Sequence, residues 1–265
     1  MHKAKKSLGQ NFLKSQPALT MMGEAGNVSS KDTIIEIGPG KGALTEKLLA
    51  RALNVIAVEK DRDLISFLEE KFEKEIREKK FILIEGDILE FDPKKIGLAE
   101  RGYKLIANIP YNITGAILKK FFSEVIQPER MVLLVQKEVA DRIVARDKKE
   151  SILSLSVKAY GTPKYMMKVG KRFFSPAPKV DSAIIAITDI GHGNFKNTQE
   201  EASYFKLIKL GFAHKRKMLR GNLEESIEKE LIEKAFSELS IDPKSRAEDL
   251  SFDTWLKLSS LLRQS

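Results

Sequence analysis

The sequence predicts an α/β protein: a mostly parallel sheet with helices on both faces, followed by a small all-helical domain. Three observations predict it. Short apolar runs alternate with amphipathic helical patterns through the first two thirds of the chain. Successive strands end in glycine, carboxylate or amide residues, at the strand ends where open α/β sheets bind ligands. After Asp189 a turn cluster, Gly191-His192-Gly193-Asn194, closes the strand signal and only helical patterns follow.

In order, residues 1–30 form a basic lead in which Pro17 opens a helix over Ala18–Gly23. Thr33–Ile37 reads as a strand, Gly38–Gly42 as a glycine turn and Ala43–Ala52 as a helix. Asn54–Val58 is the second strand. Leu64, Phe67, Leu68, Phe72 and Ile76 recur at helical spacing within Asp63–Lys80. Phe81–Glu85 and Tyr103–Ala107 are the third and fourth strands, Thr114–Val125 a helix, Met131–Gln136 a fifth strand and Lys137–Ala145 a helix. Two more strands are expected near Tyr165–Val169 and Ser182–Thr188, giving seven. The boundary falls near residue 190, so that 1–190 and 191–265 are expected to be separate domains. The second is read as helices over Tyr204–Leu223, Ser226–Leu239 and Phe252–Leu262, with a capping box at Ser245 and Glu248.

Composition removes whole classes of chemistry. The chain has 265 residues and no cysteine, which excludes disulfides, thiolate metal sites and cysteine nucleophiles. Its histidines, His2, His192 and His214, show no metal-ligand spacing and are expected at the surface, so no metal is expected. No run approaches the ~18 apolar residues of a membrane span. The basic start is followed by Ser-Leu-Gly-Gln-Asn and not by an apolar core, so no secretory signal is read and a cytoplasmic location is expected. A formal net charge of +9 points to a polyanionic partner.

The chemistry gathers at the strand ends. Glu36-Ile37-Gly38-Pro39-Gly40-Lys41-Gly42 follows the first strand, and Gly38-x-Gly40-x-x-Ala43 also satisfies the dinucleotide fingerprint. Glu59 ends the second strand, where an acid takes ribose hydroxyls. NAD and S-adenosylmethionine both carry such a ribose, so neither signal separates them. Asp87 follows the third strand, placed to accept from an adenine amine. The fourth strand delivers Asn108-Ile109-Pro110-Tyr111. The Asn108 amide oxygen and the Ile109 carbonyl can accept from an exocyclic amine, Pro110 stiffens the turn and Tyr111 offers a stacking face. The ordered series fits an adenosyl cofactor lying across the strand ends with its methyl aimed at Asn108. A hydride-transfer site has no candidate residues.

These residues carry a resemblance. The chain resembles the ribosomal RNA adenine dimethyltransferases over nearly its whole length, through Gly9-Gln10-Asn11-Phe12-Leu13, Glu36–Gly42, Glu59, Gly86-Asp87, Asn108–Ile113, Val135–Ala140, Phe174–Ser182 and Arg216–Arg220. The resemblance implies a Rossmann-like class I methyltransferase domain with a seven-stranded sheet, and S-adenosylmethionine as cofactor. It implies cofactor contacts from Gln10, Asn11, Leu13, Gly38, Gly40, Glu59, Asp87 and Asn108. Phe12 would close over the reacting centre, and Tyr111 and Phe174 would sandwich a flipped adenine whose N6 is held by Asn108 and Ile109. The implied reaction is N6,N6-dimethylation of two adjacent adenines near the 3′ end of small-subunit rRNA, on a partly assembled particle, by a monomeric enzyme.

Two features depart from the small-subunit pattern: Ile109 stands where many members carry leucine, and Glu150-Ser151 where they often carry Tyr-Gly. The large-subunit enzymes of macrolide resistance therefore stay open as an alternative, as does an RNA-binding assembly checkpoint. On the predicted helix Tyr204–Leu223, Phe205, Ile208, Phe212 and Leu219 form an apolar stripe. Lys206, Lys209, Arg216, Lys217 and Arg220 gather opposite, as an RNA-backbone footprint to which Lys3, Lys5 and Lys6 could add.

Overall fold

The computed structural model describes Lys5 and residues 8–263; His2, Lys3 and Lys6 lie outside the described residues. Its elements are β1 (Phe12–Leu13), α1 (Gln16–Ala25), β2 (Thr33–Ile37), α2 (Ala43–Leu49), β3 (Asn54–Glu59), α3 (Arg62–Lys71), α4 (Glu73–Arg77), β4 (Phe81–Glu85), β5 (Lys104–Asn108), α5 (Thr114–Ser123), β6 (Arg130–Gln136), α6 (Lys137–Ile143), α7 (Ile152–Lys158), β7 (Thr162–Val169), β8 (Phe174–Ser175) and β9 (Ser182–Thr188). Four helices complete the chain: α8 (Thr198–Gly211), α9 (Leu219–Leu223), α10 (Lys229–Glu238) and α11 (Phe252–Arg263).

Seven strands form one sheet in the order β4-β3-β2-β5-β6-β9-β7. Neighbours are parallel from β4 to β6, and β9 runs antiparallel between β6 and β7. The order reverses between β2 and β5, which is the switch point where a doubly wound sheet opens a crevice at its carboxyl ends. The strands there are apolar on both faces because helices cover both: Ile34, Ile35, Leu105, Ile106 and Ala107 are fully buried. A separate two-stranded ribbon, which the periodicity does not reveal, pairs Phe12 with Ser175 and Leu13 with Phe174.

The chain divides into two compact units. One holds the described residues up to Ala140 together with Thr162–Ile190; the other holds Asp141–Gly161 together with the residues from Gly191 onward. Residues 141–161 thus group with the later helices and not with the sheet. Within the second unit Trp255 is fully buried, and its indole N–H donates to the Ala247 carbonyl at 3.2 Å.

Two predicted helices are each broken in the structure. Asp63–Lys80 divides at Phe72, whose φ of −114° leaves the helical region. Its ring turns inward, 5.1 Å from that of Phe81 in an edge-on pair, so burial outweighs helical continuity. Tyr204–Leu223 divides after Gly211, where the Asn222 side-chain amide donates to the carbonyls of Gly211 (2.6 Å) and His214 (3.2 Å). A cap of that kind satisfies carbonyls the next helical turn would have used. The predicted Ser245 box shifts by one residue, with Asp249 accepting from the Arg246 N–H at 2.8 Å.

Candidate active site

A cleft of about 1070 Å³ opens across the carboxyl ends of β2 to β5. It is lined by Gln10, Asn11, Phe12, Leu13, Gly38, Gly40, Glu59, Asp87, Asn108, Ile109, Pro110 and Tyr111. The structure thus brings together the strand-end residues and the Gln10–Leu13 segment of the lead. Phe174 alone stands apart. Its ring belongs to the hydrophobic core at 4% exposure, while the next residues, Ser175 and Pro176, reach the cleft.

The glycine turn forms the floor. Gly38 has φ +60° and open space where a Cβ would stand, so backbone is the only wall there. Gly40 has φ +59°, and a Cβ on it would come within 3.0 Å of the Phe12 ring. Phe12 lies over this turn, with the Lys41 ammonium 5.2 Å from its ring centroid.

Glu59 is 5% exposed, and both its carboxylate oxygens are oriented by main-chain donors. Oε2 accepts from the Gly40 N–H at 3.1 Å and Oε1 from the Asp61 N–H at 2.9 Å. A carboxylate has about four acceptor positions, more than these main-chain donors use, which leaves capacity for a diol. Burial pushes the Glu59 carboxyl up, while the Asp61 and Gly40 N–H groups pull it back down. Asp87 accepts from the Leu89 N–H at 2.9 Å and from the Lys60 ammonium at 2.7 Å. Lys60, first, and then that N–H hold its carboxyl below the usual carboxylate range.

The lead closes the cleft from one side. Asn108 donates its side-chain N–H to the Asn11 carbonyl at 3.0 Å, and Asn11 Nδ2 donates to the Gly9 carbonyl at 3.1 Å. Since Asn11 offers only an acceptor, the Asn108 amide is fixed with its oxygen as the unspent end. The buried Ile109 accepts no hydrogen bond at its carbonyl among the described residues. Gln10 spends its side chain structurally, donating to Asp61 at 2.7 Å and accepting from the Lys5 N–H at 2.7 Å. Leu13 belongs to the hydrophobic core as well as to the cleft wall.

Two residues gain a role that sequence reasoning did not assign. Ser182 is fully buried, and its hydroxyl lies 2.6 Å from the Tyr111 hydroxyl, fixing the ring beside Asn108. Its only signal was membership of the Phe174–Ser182 motif. Glu36, an acid within an apolar strand, is 1% exposed and accepts from the Thr45 hydroxyl at 2.7 Å. Burial pushes its carboxyl to about 8, so it stays protonated at neutral pH.

The predicted RNA-facing cations divide into two groups. Arg220 pairs with Glu224 at 2.7 Å and Glu233 at 2.5 Å, and Lys217 with Glu225 at 3.0 Å. Lys206, Lys209 and Arg216 are exposed and make no ion pair among the described residues. In the lead, Lys5 pairs with Asp61 at 2.5 Å and Asp63 at 2.8 Å. His192 and His214 are both largely exposed. Among the described residues no three metal-ligating side chains gather, and no helix is long and apolar enough to cross a membrane.

Known proteins share this architecture. A family model described as ribosomal RNA adenine dimethylase matches residues 1–264. A protein of Dehalococcoides mccartyi (strain CBDB1) named ribosomal RNA small subunit methyltransferase A is 45% identical, covering 97% of this chain and 87% of its own. A protein of the same name from Thermosynechococcus vestitus is 40% identical, covering 100% and 98%. Among solved structures, a dimethyladenosine transferase from Plasmodium falciparum superposes with a TM-score of 0.77 at 25% identity, covering 93% of this chain and 95% of that one. The 23S rRNA methyltransferase ErmE reaches 0.81 at 24% identity over 96% and 100%, which establishes the shared fold alone.

Proposed function

This chain belongs to the ribosomal RNA adenine dimethylase family, and we propose that it dimethylates N6 of two adjacent adenines near the 3′ end of small-subunit rRNA. Family and fold imply a methyl donor of the S-adenosylmethionine type. The cleft fits that group: Glu59 keeps acceptor capacity beyond its main-chain donors, and the space above Gly38 admits a ligand against bare backbone. We assign its ribose to Glu59, its adenine to Asp87 and its amino-acid end to the glycine turn and the lead, Gln10 to Leu13. When bound, the donor supplies an electrophilic methyl on a sulfonium.

The protein supplies position and polarity. The observation that carries the reading is the oriented Asn108 amide, whose oxygen, like the neighbouring Ile109 carbonyl, is left unspent on residues that line the cleft. A ring-conjugated amine is a poor nucleophile. Acceptors on both of its hydrogens favour a pyramidal nitrogen with its lone pair available. Alignment of the reacting atoms can supply roughly 7–11 kcal/mol. No residue of Asn108–Tyr111 is a strong base, and none is required, because the nitrogen becomes acidic once it carries the new methyl and sheds its proton to water.

The adenine must first leave its stack, at a few kcal/mol. Stacking on Tyr111 offsets this by about 1–3 kcal/mol, with Ser182 holding the ring still. Pro110 stiffens the turn at φ −59°. Phe12 closes the cofactor side. Phe174 would have to leave the core to complete a sandwich; as placed here, it anchors the loop that borders the cleft. The substrate is a partly assembled particle, the enzyme acts as a cytoplasmic monomer, and Lys206, Lys209 and Arg216 add backbone contacts from the second unit.

The test uses unmethylated small and large ribosomal subunits in parallel with methyl-labelled S-adenosylmethionine, and mass spectrometry of the released nucleosides. N6,N6-dimethyladenosine from the small subunit alone is expected. Label confined to large-subunit RNA overturns the assigned substrate, and intact cofactor binding without label in either favours an assembly role.

A further inference from the structure

Next to the lead and loop residues that line the cleft stands a turn that the chemistry above does not use. Lys171–Phe173 form one 3-10 turn. Its main chain is fastened at both ends, the Phe173 N–H donating to the Gly170 carbonyl at 3.0 Å and the Phe173 carbonyl accepting from the Lys14 N–H at 2.8 Å. Lys14 itself lines the cleft, and Phe174–Ser175 pair with the lead immediately beyond. Asp181 secures the far side of the loop, accepting from the Lys171 N–H at 2.9 Å and pairing with Lys168 at 2.9 Å.

On this turn Phe173 is 37% exposed, and the Arg172 guanidinium lies 5.0 Å from its ring centroid. Lys14, Arg172 and Lys179 are exposed and make no ion pair among the described residues. This pair of features is what single-stranded nucleic acid recognises: a π face for a base and cations for the adjoining phosphates. Lys217 and Arg220, by contrast, are already matched to carboxylates within the protein.

We infer that the Arg172–Phe173 platform stacks the nucleotide adjacent to the adenine held in the cleft, while Lys14 and Lys179 contact its phosphates. This rests on the reading of the cleft as an RNA adenine site. Where two target adenines are neighbours, the occupant of the platform is the second adenine. A ring face carries no base-edge code, so the platform accepts that base before and after methylation.

The test compares Phe173→Ala, Phe173→Tyr and the triple variant Lys14→Ala/Arg172→Ala/Lys179→Ala with wild type, using unmethylated small subunits. Particle affinity is measured by filter retention across a salt series, S-adenosylmethionine affinity by calorimetry, and methyl transfer by label. Phe173→Ala is expected to weaken particle binding and raise KM for the particle about tenfold, with kcat changed far less and cofactor affinity unchanged. Phe173→Tyr restores wild-type values. The triple variant lowers the slope of log affinity against log salt by about 2. Wild-type particle affinity in Phe173→Ala, with an unchanged melting temperature, overturns the platform. Retention is read independently of chemistry, so failure of wild type to form dimethyladenosine counts against the assigned reaction and not against the platform.

Discussion

The side-chain amide of Asn108 donates to the main-chain carbonyl of Asn11 at 3.0 Å. One hydrogen bond thereby ties the end of β5 to the lead and decides which end of the amide faces the cleft. Asn108→Ala leaves that carbonyl without its donor, at about 1–3 kcal/mol, and removes one of two acceptors for the substrate amine. Single-turnover methylation is expected to fall at least 100-fold. Asn108→Asp sets an oxygen against an oxygen and should fall equally; more than a tenth of wild-type activity in it would remove amide orientation from the mechanism.

Tyr111 and Ser182 share a hydrogen bond of 2.6 Å. Tyr111→Ala should lose turnover and base affinity together. Ser182→Ala leaves the ring in place but unsecured, so a smaller loss of about 1 kcal/mol, near fivefold in kcat/KM, is expected with cofactor affinity intact. Equal losses in the two variants would show that Ser182 acts on folding and not on ring position.

Glu36 makes stability depend on pH. Burial raises its carboxyl from 4.5 to about 8. The folded state therefore keeps a proton that the unfolded chain releases above pH 4.5. The contribution is full below that value, declines by about 1 kcal/mol per pH unit, and is gone above about 8. Glu36→Gln keeps an acceptor for Thr45 without the titration. Between pH 5 and 8 the wild-type melting temperature should decline relative to that of the variant; parallel curves would mean that Glu36 is ionised in the native protein.

Gly40 answers to two constraints at once, a φ of +59° and a Phe12 ring 3.0 Å from any added Cβ. Gly40→Ala incurs about 1–2 kcal/mol of backbone strain and displaces Phe12. Cofactor affinity measured by calorimetry should weaken at least tenfold. Affinity within twofold of wild type would separate the turn from the cofactor.

The basic residues of the second unit should separate by their partners. Lys206→Ala/Lys209→Ala/Arg216→Ala removes uncommitted charge and should lower the salt slope of particle binding by about 2. Arg220→Ala breaks pairs with Glu224 and Glu233 and should lower the melting temperature while leaving the slope as it was. A flattened slope in Arg220→Ala would mean that those pairs open on the RNA.

The sheet and its ligand-binding end were legible because both signals are local. Apolar runs mark strands, and polar residues at their carboxyl ends mark the crevice. What escaped depends on distant partners. Phe72 ends a helix because Phe81 receives its ring, and Gly211 ends another because Asn222 caps it. Residues 141–161 join the later helices through contacts that leave no mark in their own composition. Pairing of Phe12 with Ser175 has no periodicity to betray it, since two rungs are too short to show one. Phe174 was read from a motif as a site residue, and only the packing shows its ring in the core.

That two-rung ribbon has a thermodynamic consequence. One strand continues from the segment that lines the cleft, and the other from the turn that carries Arg172 and Phe173. Because the two strands are already paired, a shift of either one breaks its register with the other. On the proposed assignments this one pairing joins the donor side to the RNA side, and any coupling through it is reciprocal: whatever factor the donor adds to the hold on RNA, RNA returns to the hold on the donor.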